Sequence, residues 1–124
     1  MKIEVSTGEI VDKYTILTIK KANIKEEDKL HNVEKELNYL SGVLLELGIP
    51  SDESLLTDLI RVNKNLWDVE DRLRNCERDK IFDEHFVQLA RSVYRLNDKR
   101  AHIKKEINMK YKSELVEEKS YRPY

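Results

Sequence analysis

The sequence predicts an all-α protein, an elongated antiparallel bundle of about four helices joined by short loops. Apolar residues (40%) and charged residues (38%) nearly balance, and only 3 Gly and 2 Pro punctuate 124 residues. That composition suits long amphipathic helices rather than sheets with many turns. Leucines step by three and four residues through two long stretches, which is the spacing of a knobs-into-holes seam. The breaks between stretches carry helix caps and helix breakers. No Gly-, Ser- or Pro-rich stretch divides the chain, so one domain over 1–124 is expected.

Ile3 and Val5 alternate with Lys2 and Glu4, the period of a short extended segment before the first helix. Ser6 and Glu9 form a capping box that opens a helix over 6–24. Ile10, Tyr14 and Leu17 make one stripe of it, and Ile16 and Ile19 widen the buried face. Glu26, Glu27 and Asp28 suit the positive end of a second helix, over 28–47. Its seam is Leu30, Val33, Leu37, Leu40, Leu44 and Leu47, ended by Gly48 and Pro50.

Ser51 or Asp52 is positioned to cap a third helix over 52–78, with the seam Leu55, Leu59, Val62, Leu66, Val69, Leu73 and Cys76. The matching seams pair this helix with the second. Asp83 caps a fourth helix over 83–111 that carries Phe86, Leu89, Val93, Leu96, Ile103 and Ile107, and Arg100 intrudes on that seam. Residues 112–124 are polar and read by composition as a loosely ordered tail.

The formal charge of −1 gives no net basic field to attract nucleic acid or an anionic membrane, so neither is expected as a partner. Charges stand where a signal peptide would be apolar, and no uncharged run approaches the roughly 20 residues of a membrane span. The lone Cys76 has no intramolecular disulfide partner, which points to a reducing, cytoplasmic compartment. At 1.5 Å per residue the third and fourth helices are roughly 40 Å long, against a radius of gyration near 14 Å for a compact chain of this size. Such an elongated bundle, with more seam than one short bundle needs, predicts a homodimer.

Polar residues interrupt the helix faces in two blocks, Trp67-Asp68-Val69-Glu70-Asp71-Arg72 and the stretch from Arg91 to Arg100. Asn63, Trp67, Glu70 and Arg74 share one flank of the third helix, and Arg91, Arg95, Asp98 and His102 one stripe of the fourth. One reading pairs Glu70 and Asp71 with Arg95 or Arg100 across the bundle to fix register. The other is a pocket in which Arg91, Arg95 or Arg100 holds a carboxylate or phosphate and Trp67 or Tyr94 forms a flat wall. Glu70, Asn97 and Lys13 complete that candidate set, with Asp12 and Lys20 as lesser contributors from the first helix.

Glu9 and Asp12 have the i, i+3 spacing of helical carboxylates that bind Mg²⁺, but the second acidic pair that such sites need is not clearly spaced, and capping explains Glu9 at least as well. His31, His85 and His102 are dispersed, and neither a Gly-rich phosphate loop nor a Gly-x-Ser-x-Gly elbow occurs. No metal and no cofactor is therefore expected. Helical enzymes such as chorismate mutase work with scattered Arg, Lys, Glu and Gln, so catalysis is left open.

Ser6-Thr7-Gly8-Glu9-Ile10-Val11-Asp12-Lys13, Thr15-Ile16-Leu17 and Lys29-Leu30-His31-Asn32-Val33 resemble the opening of a small uncharacterised family of helical proteins found in bacteria and large bacteriophages. Trp67-Asp68-Val69-Glu70-Asp71, Leu89-Ala90-Arg91-Ser92-Val93-Tyr94, Asn97-Asp98-Lys99-Arg100-Ala101, residues 104–108 and Glu117-Glu118-Lys119-Ser120-Tyr121 resemble its later blocks in order. The family is a domain of unknown function, so the resemblance implies no reaction. Its bacterial genes often lie near cell-surface polysaccharide genes, which implies a direction toward sugar nucleotides or their enzymes. The chain departs from the family at Tyr14, usually an aliphatic position. The resemblance also implies that the tail block 117–121 docks on the bundle.

The expected function is a non-enzymatic homodimeric interaction or assembly module. The alternative is a small-ligand binding protein or enzyme acting on an anionic metabolite, a nucleotide, sugar nucleotide or carboxylate, through an arginine-lined interhelical pocket.

Overall fold

A computed structural model describes residues 1–120. Four helices follow one another: α1 (Thr7–Asn23), α2 (Glu27–Glu46), α3 (Ser54–Asp79) and α4 (Glu84–Lys110). The described residues contain no strand, and Ile3 and Val5 are exposed ahead of α1.

Each boundary has a local cause. The Ser6 hydroxyl accepts the Glu9 N–H at 3.1 Å and opens α1. Gly48, at φ +73°, takes the left-handed turn that ends α2, and the Ile49 N–H closes it on the Leu44 carbonyl at 3.0 Å. The Asp83 carboxylate accepts the Phe86 N–H at 3.1 Å and starts α4. The cap of α3 differs from expectation, because Glu53 rather than Ser51 or Asp52 fills it, accepting the Leu55 N–H. Glu53 wins because its carboxylate also receives Lys110 Nζ at 2.8 Å and the Tyr111 hydroxyl, which ties the start of α3 to the end of α4. Hydrogen bonds from Lys110 and then Tyr111 hold the Glu53 pKa below its ordinary value. The bond that Tyr111 donates pushes its own pKa up to about 12.

The packing order is α2 on α1, and α1 on the α3–α4 hairpin. This corrects the expected pairing of the second helix with the third. Helix α1 lies between them because its apolar stripe is wide enough to serve two surfaces. Val11 packs with Leu56, Leu59 and Ile107 of the hairpin, and Leu44 and Ile49 close that cluster from the end of α2. Leu17 packs with Val33 and Leu40 of α2, while Ile10 and Tyr14 border both clusters. Tyr14, the departure from the family pattern, thus sits at the joint between the two cores.

The first turn of α1 meets α4 at backbone range. A Cβ on Gly8 would stand 2.6 Å from the Lys104 carbonyl oxygen, and the Gly8 N–H donates to Asn108 Oδ1 at 2.6 Å. Only glycine fits this approach. At the other end the hairpin outruns its cover: beyond Leu66, α3 has no buried residue, and Ile81 and Phe82 at the tip are exposed.

Two glycine substitutions should therefore differ in sign. Gly8→Ala forces α1 away from α4 and should cost about 1–3 kcal/mol in urea unfolding. Gly42→Ala adds a methyl that meets nothing within 4 Å, in the interior of α2, and should add about 0.5–1 kcal/mol. Equal effects at the two positions would contradict the close crossing.

Candidate functional site

The polar residues gather at two places, one under α1 and one on the far face of the hairpin. Asp12 is 2% exposed, and α1 turns it toward α3 and α4. Arg100 grips it in a fork, Nε on Oδ1 at 2.8 Å and Nη2 on Oδ2 at 2.5 Å. Asn63 of α3 donates Nδ2 to Asp12 Oδ1 at 3.0 Å and to Thr15 Oγ1 at 2.7 Å, and Thr15 donates to the Asp12 carbonyl at 2.7 Å. The Asp12 bonds raise the Arg100 pKa against the opposing effect of burial.

One turn further along α4, Lys104 is 8% exposed and its ammonium bonds Glu9 of α1 and, at 2.9 Å, Glu117 of the tail. Burial is the largest single influence on Lys104 and opposes its charge, but the two carboxylates outweigh it and leave its pKa raised. The Lys104 bond in turn holds Glu117 below the usual carboxylate range. The tail docks here through Glu117, through Glu118 on Lys105 at 3.0 Å, and through Ser113, whose hydroxyl accepts the Thr7 N–H at 3.0 Å. Tyr121, the last residue of the tail block, lies outside the described residues. No buried side-chain nitrogen or oxygen among the described residues lacks a partner. Between α1, α4 and the tail a pocket of about 220 Å³ remains, lined by Glu9, Asn97, Arg100, Lys104, Glu117 and Lys119.

The second place is a groove between α3 and α4, on the flank of α3 turned away from Leu59, Asn63 and Leu66. It holds about 820 Å³ over a floor of Val62, Leu96 and Ile103. An adjoining recess of about 350 Å³ shares Asn65, Arg95, Leu96 and Lys99 with it and runs on to Val69 and Arg72. Asp58 and Asp68 stand on the α3 rim, and Arg95 and Lys99 on the α4 rim.

The structure distributes the sequence-selected residues rather than collecting them in one pocket. Arg100 goes under α1 to Asp12, and Arg95 lines the groove. Asn97 lines the smaller pocket. Arg91 and Tyr94 are exposed neighbours on α4, Arg95 lies 5.9 Å from the Tyr94 ring centre, and Arg91 foremost, with Arg95, holds the Tyr94 pKa below its ordinary value. Lys13 pairs with Glu36 of α2 at 2.6 Å, on the surface. Trp67 is half-buried on α3.

Glu70 and Asp71 do not cross the bundle to Arg95 or Arg100. They pair with Arg74 of their own helix at 3.9 and 3.0 Å, because residues three and four apart are nearer than the facing helix. Sequence reasoning missed Thr15, Lys104, Asn108 and Glu117 as partners in the polar cluster. Its available signal was the polar series Arg100, Lys104, Asn108, spaced by four along a helix whose other stripe is apolar.

The described residues hold no group of three or more His, Cys, Asp or Glu that would bind a metal ion. No described helix is long and apolar enough to cross a membrane. The fold and its polar cluster define an all-α bundle whose buried ionic groups hold helices together. The chain belongs to a family of unknown function, DUF6165, which it matches over residues 1–123. No curated protein and no solved structure matches it.

Removing one partner of the Asp12–Arg100 pair leaves the other charge buried and unpaired. Arg100→Met should therefore cost about 3 kcal/mol or more in chemical denaturation. Adding Asp12→Asn removes the stranded charge, so the double variant should be more stable than Arg100→Met by about 1 kcal/mol. Simple addition of the two costs would contradict the pairing.

Proposed function

We propose that the chain is a non-enzymatic helical interaction module that works as a homodimer, with the open α3–α4 face as its self-association surface. The observation that carries this reading is the groove itself. Helix α1 covers one side of the hairpin and α2 lies mainly on α1, so the other side keeps a groove in which Leu96 and Ile103 are half-exposed beside the buried Val62. Each rim bears both signs of charge, Asp58, Arg61, Asp68 and Arg72 on α3 and Arg95, Asp98 and Lys99 on α4. A two-fold axis sets the α3 rim of one copy over the α4 rim of the other, and a face of mixed sign is then complementary to itself. The buried ionic groups under α1 are satisfied within the chain, which supports a structural rather than a catalytic use for them. The lone free thiol of Cys76, half-buried, fits a cytoplasmic setting.

A second reading rests on Arg95 and Lys99. They lie one turn apart in the groove, with Asp98 beside them. A nucleotide, sugar nucleotide or carboxylate laid on the same floor would meet two cations there.

Light scattering at micromolar concentration separates the two. The homodimer predicts a mass near twice 14.8 kDa. Leu96→Arg places a charge on the half-exposed groove floor and should give a monomer with unchanged helical circular dichroism. A wild-type monomer, or a dimer indifferent to Leu96→Arg, would remove the proposed interface. A monomer whose melting temperature rises with a nucleotide or carboxylate would favour the second reading.

A further inference from the structure

We infer that the pocket between α1, α4 and the tail is a binding site for a small anionic group, a carboxylate or a phosphate, and that Glu117 of the tail is its built-in occupant. The inference is independent of the groove on the opposite face.

The walls are rigid and rich in donors. Arg100 and Lys104 come from adjacent turns of α4, and both are anchored by α1, Arg100 on the buried Asp12 and Lys104 on the half-exposed Glu9. Arg100 spends two of its N–H groups on Asp12, out of the five a guanidinium carries. Lys104 keeps one hydrogen beyond those directed at Glu9 and Glu117. Asn97 adds a half-buried side-chain amide to the same pocket. Donors in this density, around a space of about 220 Å³, match a group of carboxylate or phosphate size and its several acceptor oxygens.

Glu117 differs from the other acids of the cluster in its support. Glu9 and Asp12 stand on α1, whereas Glu117 belongs to the stretch 114–120, which forms no helix and is exposed throughout. Exchanging its carboxylate for an external anion leaves the charge beside Lys104 unchanged, so the exchange creates no unpaired buried charge. The tail is thus a tethered competitor whose local concentration sets the affinity an outside ligand must exceed. Binding would release Glu117 and the rest of the tail with it.

Titration of the full chain with inorganic phosphate, and separately with acetate, at constant ionic strength and followed by amide NMR shifts tests this. Glu117→Gln vacates the anion position, so phosphate or acetate should bind it about tenfold more tightly than wild type, with shifts centred on Gly8, Asn97 and residues 100–104. The stronger of the two probes identifies the anionic group. Asn97→Ala, which leaves the Asp12–Arg100 pair intact, should weaken binding to the Glu117→Gln chain. In wild type, saturating anion should speed tryptic cleavage after Lys119. Equal affinity of wild type and Glu117→Gln, or shifts centred on Arg95 and Lys99 instead, would overturn the assignment. Light scattering of Glu117→Gln should match wild type, which keeps failure of this site distinct from failure of the dimer.

Discussion

A carboxylate on the middle helix, sunk to 2% exposure and held by an arginine from another helix, is the constraint on which the rest of the structure depends. Asp12 has no water to solvate it, so α1 is seated only where Arg100 and Asn63 reach it together. That requirement fixes the rotation of α1 about its axis and its height along the hairpin. Apolar contact alone tolerates sliding between similar ridges, whereas a forked ion pair does not. Once α1 is seated, Gly8 falls against the Lys104 carbonyl, and Glu9 reaches the Lys104 ammonium. Helix α2, which packs mainly on α1, inherits its place from the same pair.

The local grammar of the helices was readable in the sequence. Ser6, Gly48 and Asp83 each carry their boundary chemistry in the side chain or the allowed backbone region, and the structure uses all three. The apolar periods identified buried faces well, since Val33, Leu40, Leu44, Leu59 and Leu66 are all in the interior. A period says which face is buried but not against which helix, which is why the second and third helices appeared to be partners. The insertion of α1 between them follows from two-sided packing that a one-dimensional pattern does not encode.

The candidate site was legible only in part, for a related reason. Arg100 stood out because it breaks an apolar seam, but its partner Asp12 was weighed only with Glu9 as a carboxylate pair and as a lesser contributor to a pocket. Lys104 and Asn108 entered only as the ends of a block shared with the family, because a long polar side chain on a helix is usually solvated. Here the Lys104 side chain is buried, and its ammonium is held by Glu9 and Glu117. Glu70 was conspicuous by its place in a polar block, yet its ion pair stays on its own helix. The docking of the tail came from resemblance alone, because composition favoured a free end, and Lys104 and Lys105 supply its physical reason.

Two faces of one hairpin thus have different chemistry: an ionic cluster beneath α1 with Asp12 and Lys104 buried in it, and an open amphipathic groove on the other side. The seating of α1 by its buried pair is tested most directly by native-state hydrogen exchange. The account predicts that the amides of Val11, Asp12 and Thr15 exchange only through global unfolding, together with those of Leu59 and Ile107, while those of α2 open earlier. Exchange of α1 by local opening, with the α3–α4 hairpin still protected, would contradict it.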